Sequence, residues 1–297
     1  MAPSPLFIFL YPPTPYCYNI SPFGIKLESF LRVNKIPHEI IYTNIPSAKG
    51  FIPYIRYGDA DNGKEMSDSN AIIECLKESC ESTTDKALTA SQDAVAHAMM
   101  RMLEEHTSQI GFYYRYVLHI DAFYEVLNLP NRVFAANQTE GGQLLANAWR
   151  TCAPSSMLEK MNKRGLSRHS DKELSTLSCR DIQALSDLLG DESNFFFGER
   201  VEATTLDCAV FGHLSQFVYI PLSFPERNYM EDNCPNLLVF MEHFRSTYWE
   251  DWETKCKRAP MTKYIEVTEA RVQAINAGVV SMLLVGYIGC VFAATVT

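Results

Sequence analysis

The side chains with the clearest chemical use stand at the starts of two predicted helices. Ser21 precedes Pro22, and a helix is expected to begin there because serine is a good N-cap and proline a good first-turn residue. Asp68-Ser69 opens a second predicted helix. The N–H groups and dipole of that helix would form an anion site suited to the α-carboxylate of a peptide, although the same pair can also act only as an N-cap.

A third feature is the Ile52-Pro53 bond, which opens a predicted strand. In thioredoxin-like folds a cis proline at this place turns a backbone amide and carbonyl toward a ligand. Most X-Pro bonds are trans, so the expectation of a cis bond depends on the order of the surrounding elements.

The first 85 residues alternate between strands and helices, in the order β-α-β and then β-β-α. Strands are predicted at 6–11, 38–43, 51–57 and 65–67, and helices at 22–33 and from about 68. From about residue 88 only helical spacing remains. Helices are predicted at 143–163, 171–190, 205–219 and 235–246, with a polar connection at 128–142 and a capping box formed by Thr204 and Asp207. The sequence therefore predicts an α/β front half and an all-α back half.

Composition limits the function classes. Of the 297 residues, 47% are apolar and 21% are charged, as in a folded globular chain. A net charge of −9 argues against nucleic acid as a partner. The nine cysteines include no C-x-x-C pair and are expected to be reduced thiols facing the cytosol.

The C-terminal end differs from the rest of the chain. Residues 277–296 are 20 residues with only Ser281 and Thr295 as polar interruptions. As a helix this segment would be about 30 Å long, the thickness of the hydrocarbon core of a bilayer. We expect a single-pass membrane anchor, preceded by a juxtamembrane linker at 257–276, with the other residues in the cytoplasm. The alternative is a last helix docked on the folded core, but such a helix normally keeps one polar stripe.

Stretches spread from residue 21 to about 252 carry a family resemblance. They include SPFGIKLESFLRVNKIPHE (21–39), KGFIPYIRYG (49–58), SDSNAIIECL (67–76) and FFFGERVEATTLDCAVFGHLSQFVYIPL (195–222). These stretches resemble the glutathione transferase superfamily and, within it, the branch of failed axon connections and metaxin-like proteins. The resemblance implies a thioredoxin-like α/β domain at 1–85 and an all-helical glutathione transferase C-terminal domain at 88–256. A glutathione site is then expected where the domains meet.

The same resemblance implies a role for each candidate residue. Ser21 takes the position of the group that stabilises the thiolate of glutathione. Ile52 and Pro53 take the position of the backbone contact to the cysteinyl unit, and Asp68 and Ser69 that of the γ-glutamyl contact. A hydroxyl that donates to sulfur would lower the pKa of the thiol and make thiolate available near neutral pH. Glutathione is the possible co-substrate, and no other cofactor and no metal is expected.

One departure from the resemblance affects the chemistry. Relatives in this branch often have a cysteine two residues after the proline, where this chain has Gly24. The chain therefore lacks the cysteine thiol that disulfide exchange at this position would need. Cys17 is a possible substitute nucleophile, and Tyr11, Tyr16 or Tyr18 could also donate to a thiolate, although such residues more often only pack.

Other chemically suggestive side chains are expected to be structural. Glu104, Glu105 and His106 look like a metal or acid-base cluster, but the H-E-x-x-H spacing is absent and neighbouring helical positions point to different sides. We expect a solvated face with one packed imidazole. Trp249 and Trp252 are expected to pack the end of the helical domain.

Two classes of function agree with these features. The first is an interaction protein fastened to a cytosol-facing membrane, acting through protein or ligand binding. The second is an enzyme that conjugates glutathione to hydrophobic electrophiles, with Ser21 stabilising the thiolate.

Overall fold

The computed structural model describes residues 5–135, 140–191, 193–198 and 202–258. The N-terminal half is a four-stranded mixed sheet formed by β1 (Leu6–Leu10), β2 (Glu39–Tyr42), β3 (Tyr54–Tyr57) and β4 (Lys64–Ser67). The strand order is β2-β1-β3-β4; β1 is parallel to β2 and antiparallel to β3, and β3 is antiparallel to β4. Helices α1 (Pro22–Val33) and α2 (Ser69–Ser79) complete this half. The predicted order of elements is confirmed.

Local sequence explains why the first elements form where they do. Strand β1 is a continuous apolar run rather than an alternating one because Ile8, Phe9 and Leu10 all have no exposed surface. Helix α1 begins at Pro22, and its N-cap Ser21 has an extended backbone with φ −99° and ψ 119°. Since proline at the first helical position loses no helix hydrogen bond, the start of α1 is fixed directly after Ser21.

The helical half begins with a long run over residues 90–118. In this run α3 (Ala90–Met102) and α4 (Ser108–Tyr113) are each followed by a π-helical turn, at Leu103–Thr107 and Tyr114–Leu118. The later helices are α5 (Ile120–Val126), α6 (Leu129–Arg132), α7 (Glu140–Lys163), α8 (Asp171–Leu189), α9 (Thr205–Val218), α10 (Pro225–Asn233), α11 (Pro235–Tyr248) and α12 (Trp252–Arg258), with a 3-10 turn at Leu166–Arg168.

The four predicted later helices are confirmed as α7, α8, α9 and α11. The capping box of α9 is also confirmed, because Thr204 Oγ1 accepts from the Asp207 N–H at 3.3 Å and the Thr204 N–H donates to the Asp207 carboxylate at 2.6 Å. The prediction of a polar connection at 128–142 is wrong, since this range contains α6 and the first residues of α7.

The two halves pack closely between α1 and α9. A Cβ atom placed on Gly212 would lie 2.7 Å from the Pro22 carbonyl oxygen and 2.8 Å from the Lys26 nitrogen. Only glycine allows this approach of two helix backbones, and the approach fixes the start of α1 against the helical half.

The tryptophans near the end of the described chain also join the halves. Trp249 Nε1 donates to Ser29 Oγ of α1 at 3.2 Å, and the Arg32 guanidinium lies 4.0 Å from the Trp249 ring. Arg32 also pairs with Asp251 at 2.7 Å. The expectation that Trp249 and Trp252 pack the end of the helical domain was therefore incomplete, because Trp249 also holds the sheet half.

The predicted anchor lies outside the part of the chain that the structure describes. That part ends at residue 258, before the segment 277–296 and almost all of the predicted linker at 257–276. Across the described ranges, no helix combines the length and the apolar character needed to cross a bilayer.

Candidate functional site

A cleft between the two halves contains all five residues predicted for the site. Its sheet side includes Ser21, Ile52, Pro53, Asp68 and Ser69. Its helical side includes Arg101, Glu104, Glu105, Gln109, Phe112, Tyr116, Phe134, Trp149 and Lys160. The fold therefore brings the predicted residues to one surface.

Ser21 stands at the start of α1 with its hydroxyl outside the helix cap. Its side chain makes no hydrogen bond to the first turn of α1. Its N–H donates to Asn19 Oδ1 at 2.8 Å, and Asn19 Nδ2 donates to the Tyr11 carbonyl at 2.9 Å. The backbone is thus held by Asn19, which leaves the Ser21 hydroxyl able to donate to a ligand in the cleft.

The Asn19 side chain also packs against Gly24, the position at which a cysteine is often found in the branch that the sequence resembles. A Cβ atom on Gly24 would lie 3.0 Å from Asn19 Cγ, closer than an ordinary van der Waals contact. Because the same Asn19 side chain positions Ser21, a cysteine in place of Gly24 would have to displace the group that holds the Ser21 backbone.

Arg115 supports the same loop and was missed by the sequence analysis. The residue is 1% exposed, and it donates to the Ile20 carbonyl at 2.8 Å and to Gln216 Oε1 at 2.7 Å. Its guanidinium lies 4.4 Å from the Phe123 ring. Burial lowers the pKa of Arg115. Arg115 fixes the carbonyl directly before Ser21, but no local sequence pattern distinguishes it from a surface arginine.

The Ile52-Pro53 bond is cis, as the order of elements led us to expect. The loop before it is closed by two bonds: the Ser47 N–H donates to the Phe51 carbonyl, and the Phe51 N–H donates to Ser47 Oγ, each at 3.0 Å. Ile52 and Pro53 both line the cleft. The backbone ahead of β3 is thus held beside the start of α1.

Asp68 and Ser69 form the start of α2 at the cleft. Asp68 Oδ1 accepts from the N–H groups of Asn70 at 2.8 Å and Ala71 at 3.3 Å, so this carboxylate caps the helix. The Asp68 backbone has φ 79°, a value that costs a non-glycine residue about 1–3 kcal/mol and is concentrated at binding sites. The Ser69 N–H takes no part in the cap, which leaves it available to an anion.

The expectation of a solvated face at 104–106 is wrong for Glu104. This residue is 2% exposed, and its Oε1 lies 2.5 Å from Lys26 Nζ. Its Oε2 accepts from Asn70 Nδ2 at 2.9 Å and from Arg101. Burial by itself would raise the pKa of Glu104, but the charge of Lys26 and the hydrogen bonds from Lys26 and Asn70 outweigh it and lower the pKa to about 2. The charged carboxylate therefore ties α1 and α2 to the helical half.

His106 is the packed imidazole expected from the sequence. Its Nδ1 lies 2.6 Å from Asp181 Oδ2 on α8, and this hydrogen bond raises the pKa of His106. Within the described ranges, no group of three or more His, Cys, Asp or Glu side chains is placed to hold a metal ion.

Of the alternative residues suggested for thiol chemistry, the structure places one in the cleft lining and three outside it. Cys17 is fully buried, its Sγ donates to a backbone carbonyl, and burial raises its pKa to about 11, so it does not supply a thiolate at neutral pH. The Tyr18 hydroxyl donates to buried Glu28 at 3.0 Å rather than to the cleft. Tyr16 is 49% exposed and outside the cleft lining, whereas Tyr11 lines the cleft and stays an alternative.

The helical side of the cleft has an aromatic end. The Trp149 ring lies 5.6 Å from the Tyr116 ring and 5.7 Å from the Phe134 ring, centroid to centroid. Phe112 lies one turn before Tyr116, with ring centroids 5.7 Å apart. Such a surface suits an apolar or aromatic ligand group.

The fold and the cleft together define a glutathione transferase-like protein: a mixed sheet with a cis proline, packed on a helical half. The glutathione S-transferase N-terminal domain matches residues 22–122, and the glutathione S-transferase C-terminal domain matches residues 179–244. The chain belongs to the glutathione S-transferase superfamily, in the branch of failed axon connections and metaxin-like proteins.

Three relatives show how the similarity is distributed. Failed axon connections of Drosophila melanogaster is 30% identical over 92% of this chain, and the chain spans 65% of that protein's length. The isoprene-epoxide–glutathione S-transferase of Rhodococcus sp. (strain AD45) is 29% identical over 77% of this chain and 93% of its own length. The metaxin-1 homolog of Caenorhabditis briggsae is 34% identical over 34% of this chain and 32% of its own length.

The β-etherase LigF from Sphingobium sp. strain SYK-6 is a solved structure with the same fold. The TM-score is 0.56 at 13% identity, over 86% of this chain and 99% of that one. At this identity the similarity is one of fold.

Proposed function

We propose that this chain is a membrane-held binding protein that takes glutathione, or a similar small thiol peptide, into the cleft. In this proposal the folded part faces the cytoplasm and presents the cleft and helices to protein partners. The observation that carries the ligand proposal is that Ser21, the cis Ile52-Pro53 bond and Ser69 line one cleft.

Each part of the tripeptide has a complementary group. The α-carboxylate of the γ-glutamyl unit would accept from the Ser69 N–H and hydroxyl at the positive end of α2. The backbone at Ile52-Pro53 would pair with the peptide groups of the cysteinyl unit. The thiol would then lie near Ser21, whose hydroxyl donates to sulfur and favours the thiolate.

The membrane part of the proposal rests on sequence composition. Residues 277–296 have the length and apolar character of a span. Fusing residues 260–297 to a soluble reporter tests this part. The reporter is expected to stay with membranes after carbonate extraction, and a fully extractable reporter would contradict the anchor.

A second candidate function is the conjugation of glutathione to a hydrophobic electrophile. Two observations favour it: the Ser21 hydroxyl is outside the helix cap, and the aromatic end around Trp149 offers room for an apolar co-substrate. In addition, one relative that matches this chain over 93% of its own length is named an isoprene-epoxide–glutathione S-transferase. In this reaction the thiolate sulfur would form a bond to an electrophilic carbon, and the leaving group or ring oxygen would take the electron pair.

Binding and turnover are separated by measuring both on the full-length chain. Calorimetry with S-methylglutathione is expected to show binding that Ser69→Ala weakens about tenfold, the loss of one hydrogen bond to a charged group. Ser155→Ala, an exposed serine on α7, is the matched control and should leave binding unchanged. Absence of binding at millimolar ligand would contradict the proposal.

Turnover is measured with glutathione and a chlorodinitrobenzene-type electrophile. Activity that falls in Ser21→Ala while S-methylglutathione still binds would establish the second candidate. Binding of S-methylglutathione without turnover would reject the conjugation reaction and support the first proposal, a binding protein.

A further inference from the structure

Gln109 holds a buried hydrogen-bond acceptor in the lining of the cleft. The residue is 1% exposed and belongs to the helical side of the cleft. Its Nε2 donates to the Glu104 carbonyl at 3.1 Å. Its Oε1 is buried, and no residue in the part of the chain that the structure describes donates to it. Leaving a buried acceptor without a partner is costly, so this oxygen favours the entry of a donor.

The bond to the Glu104 carbonyl decides which atom of the Gln109 amide is left over. A carbonyl oxygen only accepts hydrogen bonds, so the amide nitrogen must face it and the other branch of the amide is the oxygen. The Glu104 carbonyl belongs to the π-helical turn Leu103–Thr107, and such turns occur frequently at functional sites. The group that Gln109 can still receive is therefore an N–H or an O–H. Because the terminal torsion of glutamine is broad, Oε1 can turn toward a donor that enters the cleft.

Gln109 lies between the charged end and the aromatic end of the cleft. Glu105, Gln109, Phe112 and Tyr116 all line the cleft and follow one another at steps of four, three and four residues, the spacing of one helix face. The Phe112 and Tyr116 rings stack with centroids 5.7 Å apart, and Trp149 meets Tyr116 at 5.6 Å. The acceptor therefore belongs to a residue about one helical turn from the aromatic rings.

The charges around Gln109 disfavour an anionic group at this place. The cleft lining contains three acidic and two basic side chains, which are Asp68, Glu104, Glu105, Arg101 and Lys160. Arg101 already pairs with Glu104. A carboxylate beside Gln109 would add a negative charge and would offer no donor to Oε1. A neutral group with an N–H or O–H meets both conditions.

We propose that Gln109 determines the specificity of the cleft for its second ligand, which is a neutral aromatic molecule carrying an N–H or O–H donor. The inference rests on the proposed function, in which the cleft is a ligand site. The ring of this ligand packs on Phe112, Tyr116 and Trp149, and Gln109 Oε1 accepts from its donor. A ring of the same shape without the donor leaves Oε1 unpaired and binds more weakly.

Indole and benzofuran test the donor directly. The two bicyclic rings have nearly the same shape, and the N–H of indole is replaced by an oxygen in benzofuran. Calorimetry of the full-length chain, saturated with S-methylglutathione, measures both affinities. Indole is expected to bind about tenfold more tightly, the effect of one additional hydrogen bond to a buried acceptor. Equal affinities, or tighter binding of benzofuran, would overturn the inference.

Gln109→Met separates selection from packing. Methionine has a similar length but no amide oxygen, so the ratio of the two affinities should fall from about ten to about one. A residue that only packs would change both affinities by the same factor, and an unchanged ratio in Gln109→Met would overturn the inference. Gln143→Met, at an exposed glutamine on α7, is the matched control and should keep the ratio. If Gln109→Met does not fold, Gln109→Glu retains acceptor oxygens and should still prefer indole.

Failure of this inference can be told apart from failure of the proposed function. If neither indole nor benzofuran binds at millimolar concentration, the aromatic end is not a ligand site and the inference is wrong, while the affinity for S-methylglutathione is measured separately. If S-methylglutathione does not bind, the proposed function is wrong. The indole and benzofuran affinities of the unliganded chain then still test the role of Gln109.

Discussion

Replacing Glu104 with glutamine tests the buried network that joins the two halves beside the cleft. The change keeps the size of the side chain but leaves Lys26, which has no exposed surface, without its counter-ion. Removing one partner of a buried ion pair costs about 3–5 kcal/mol. The pKa of Glu104 gives a second route: its fall from 4.5 to about 2 on folding corresponds to about 3 kcal/mol of stability at neutral pH. The two routes agree.

The pH dependence of this contribution has a defined sign. The pKa in the folded chain lies below the unfolded value of 4.5, so the unfolded chain binds the proton first. The stabilisation is therefore complete at neutral pH and is lost as the pH falls from 4.5 toward about 2.

Urea unfolding of the full-length chain measures the effect. Glu104→Gln is expected to be less stable by about 3 kcal/mol at pH 7, with a smaller difference at about pH 3. Glu105→Gln is the matched control, because its carboxylate is 41% exposed and its loss should cost no more than about 1 kcal/mol. Equal losses of unfolding free energy in Glu104→Gln and Glu105→Gln would contradict a stabilising buried ion pair. A loss in Glu104→Gln that does not become smaller in acid would contradict it as well. If Glu104→Gln does not fold, Lys26→Met with Glu104→Leu should fold, because no unpaired charge remains buried; Arg101, the other basic partner of Glu104, is 41% exposed and stays solvated.

Three further predictions concern cysteine and glycine positions. Cys17 should resist iodoacetamide at pH 8, because it is fully buried and burial raises its pKa to about 11. Exposed Cys80 should react under the same conditions. Detection by mass spectrometry of modified Cys17 in the folded chain would contradict its burial. Gly24→Cys should destabilise the chain by about 1–3 kcal/mol in thermal unfolding, since its Cβ would meet Asn19 at 3.0 Å, and a stability equal to that of the unsubstituted chain would contradict this contact. Gly212→Ala should destabilise the chain by at least as much, because its Cβ would lie 2.7 Å from a backbone oxygen, and an unchanged melting temperature would rule out the close approach of α1 and α9.

The fold could be predicted where local patterns were strong. Ser21 followed by Pro22 placed the start of α1, and the capping box at Thr204 placed the start of α9, because in both places the signal lies within four residues. Helix α10 (Pro225–Asn233) was missed because its sequence, PERNYMEDN, is polar and shows little apolar periodicity.

The site could be predicted only in part for a similar reason. The five residues on the sheet side follow recognisable signals at helix and strand starts. Glu104 was misjudged because its partners, Lys26 and Asn70, are 78 and 34 positions away, and no local pattern reports such a contact. Arg115 supports the loop before Ser21, and Lys160 lines the cleft, through long-range packing of the helical half, which spacing along one helix does not reveal.

A crystal structure of the chain with glutathione tests the proposed ligand site most directly. The tripeptide is expected in the cleft, with its γ-glutamyl carboxylate at the Ser69 N–H, its cysteinyl backbone beside Ile52-Pro53 and its sulfur within hydrogen-bond distance of Ser21 Oγ. Glutathione bound elsewhere, or a cleft that stays empty at saturating glutathione, would contradict it.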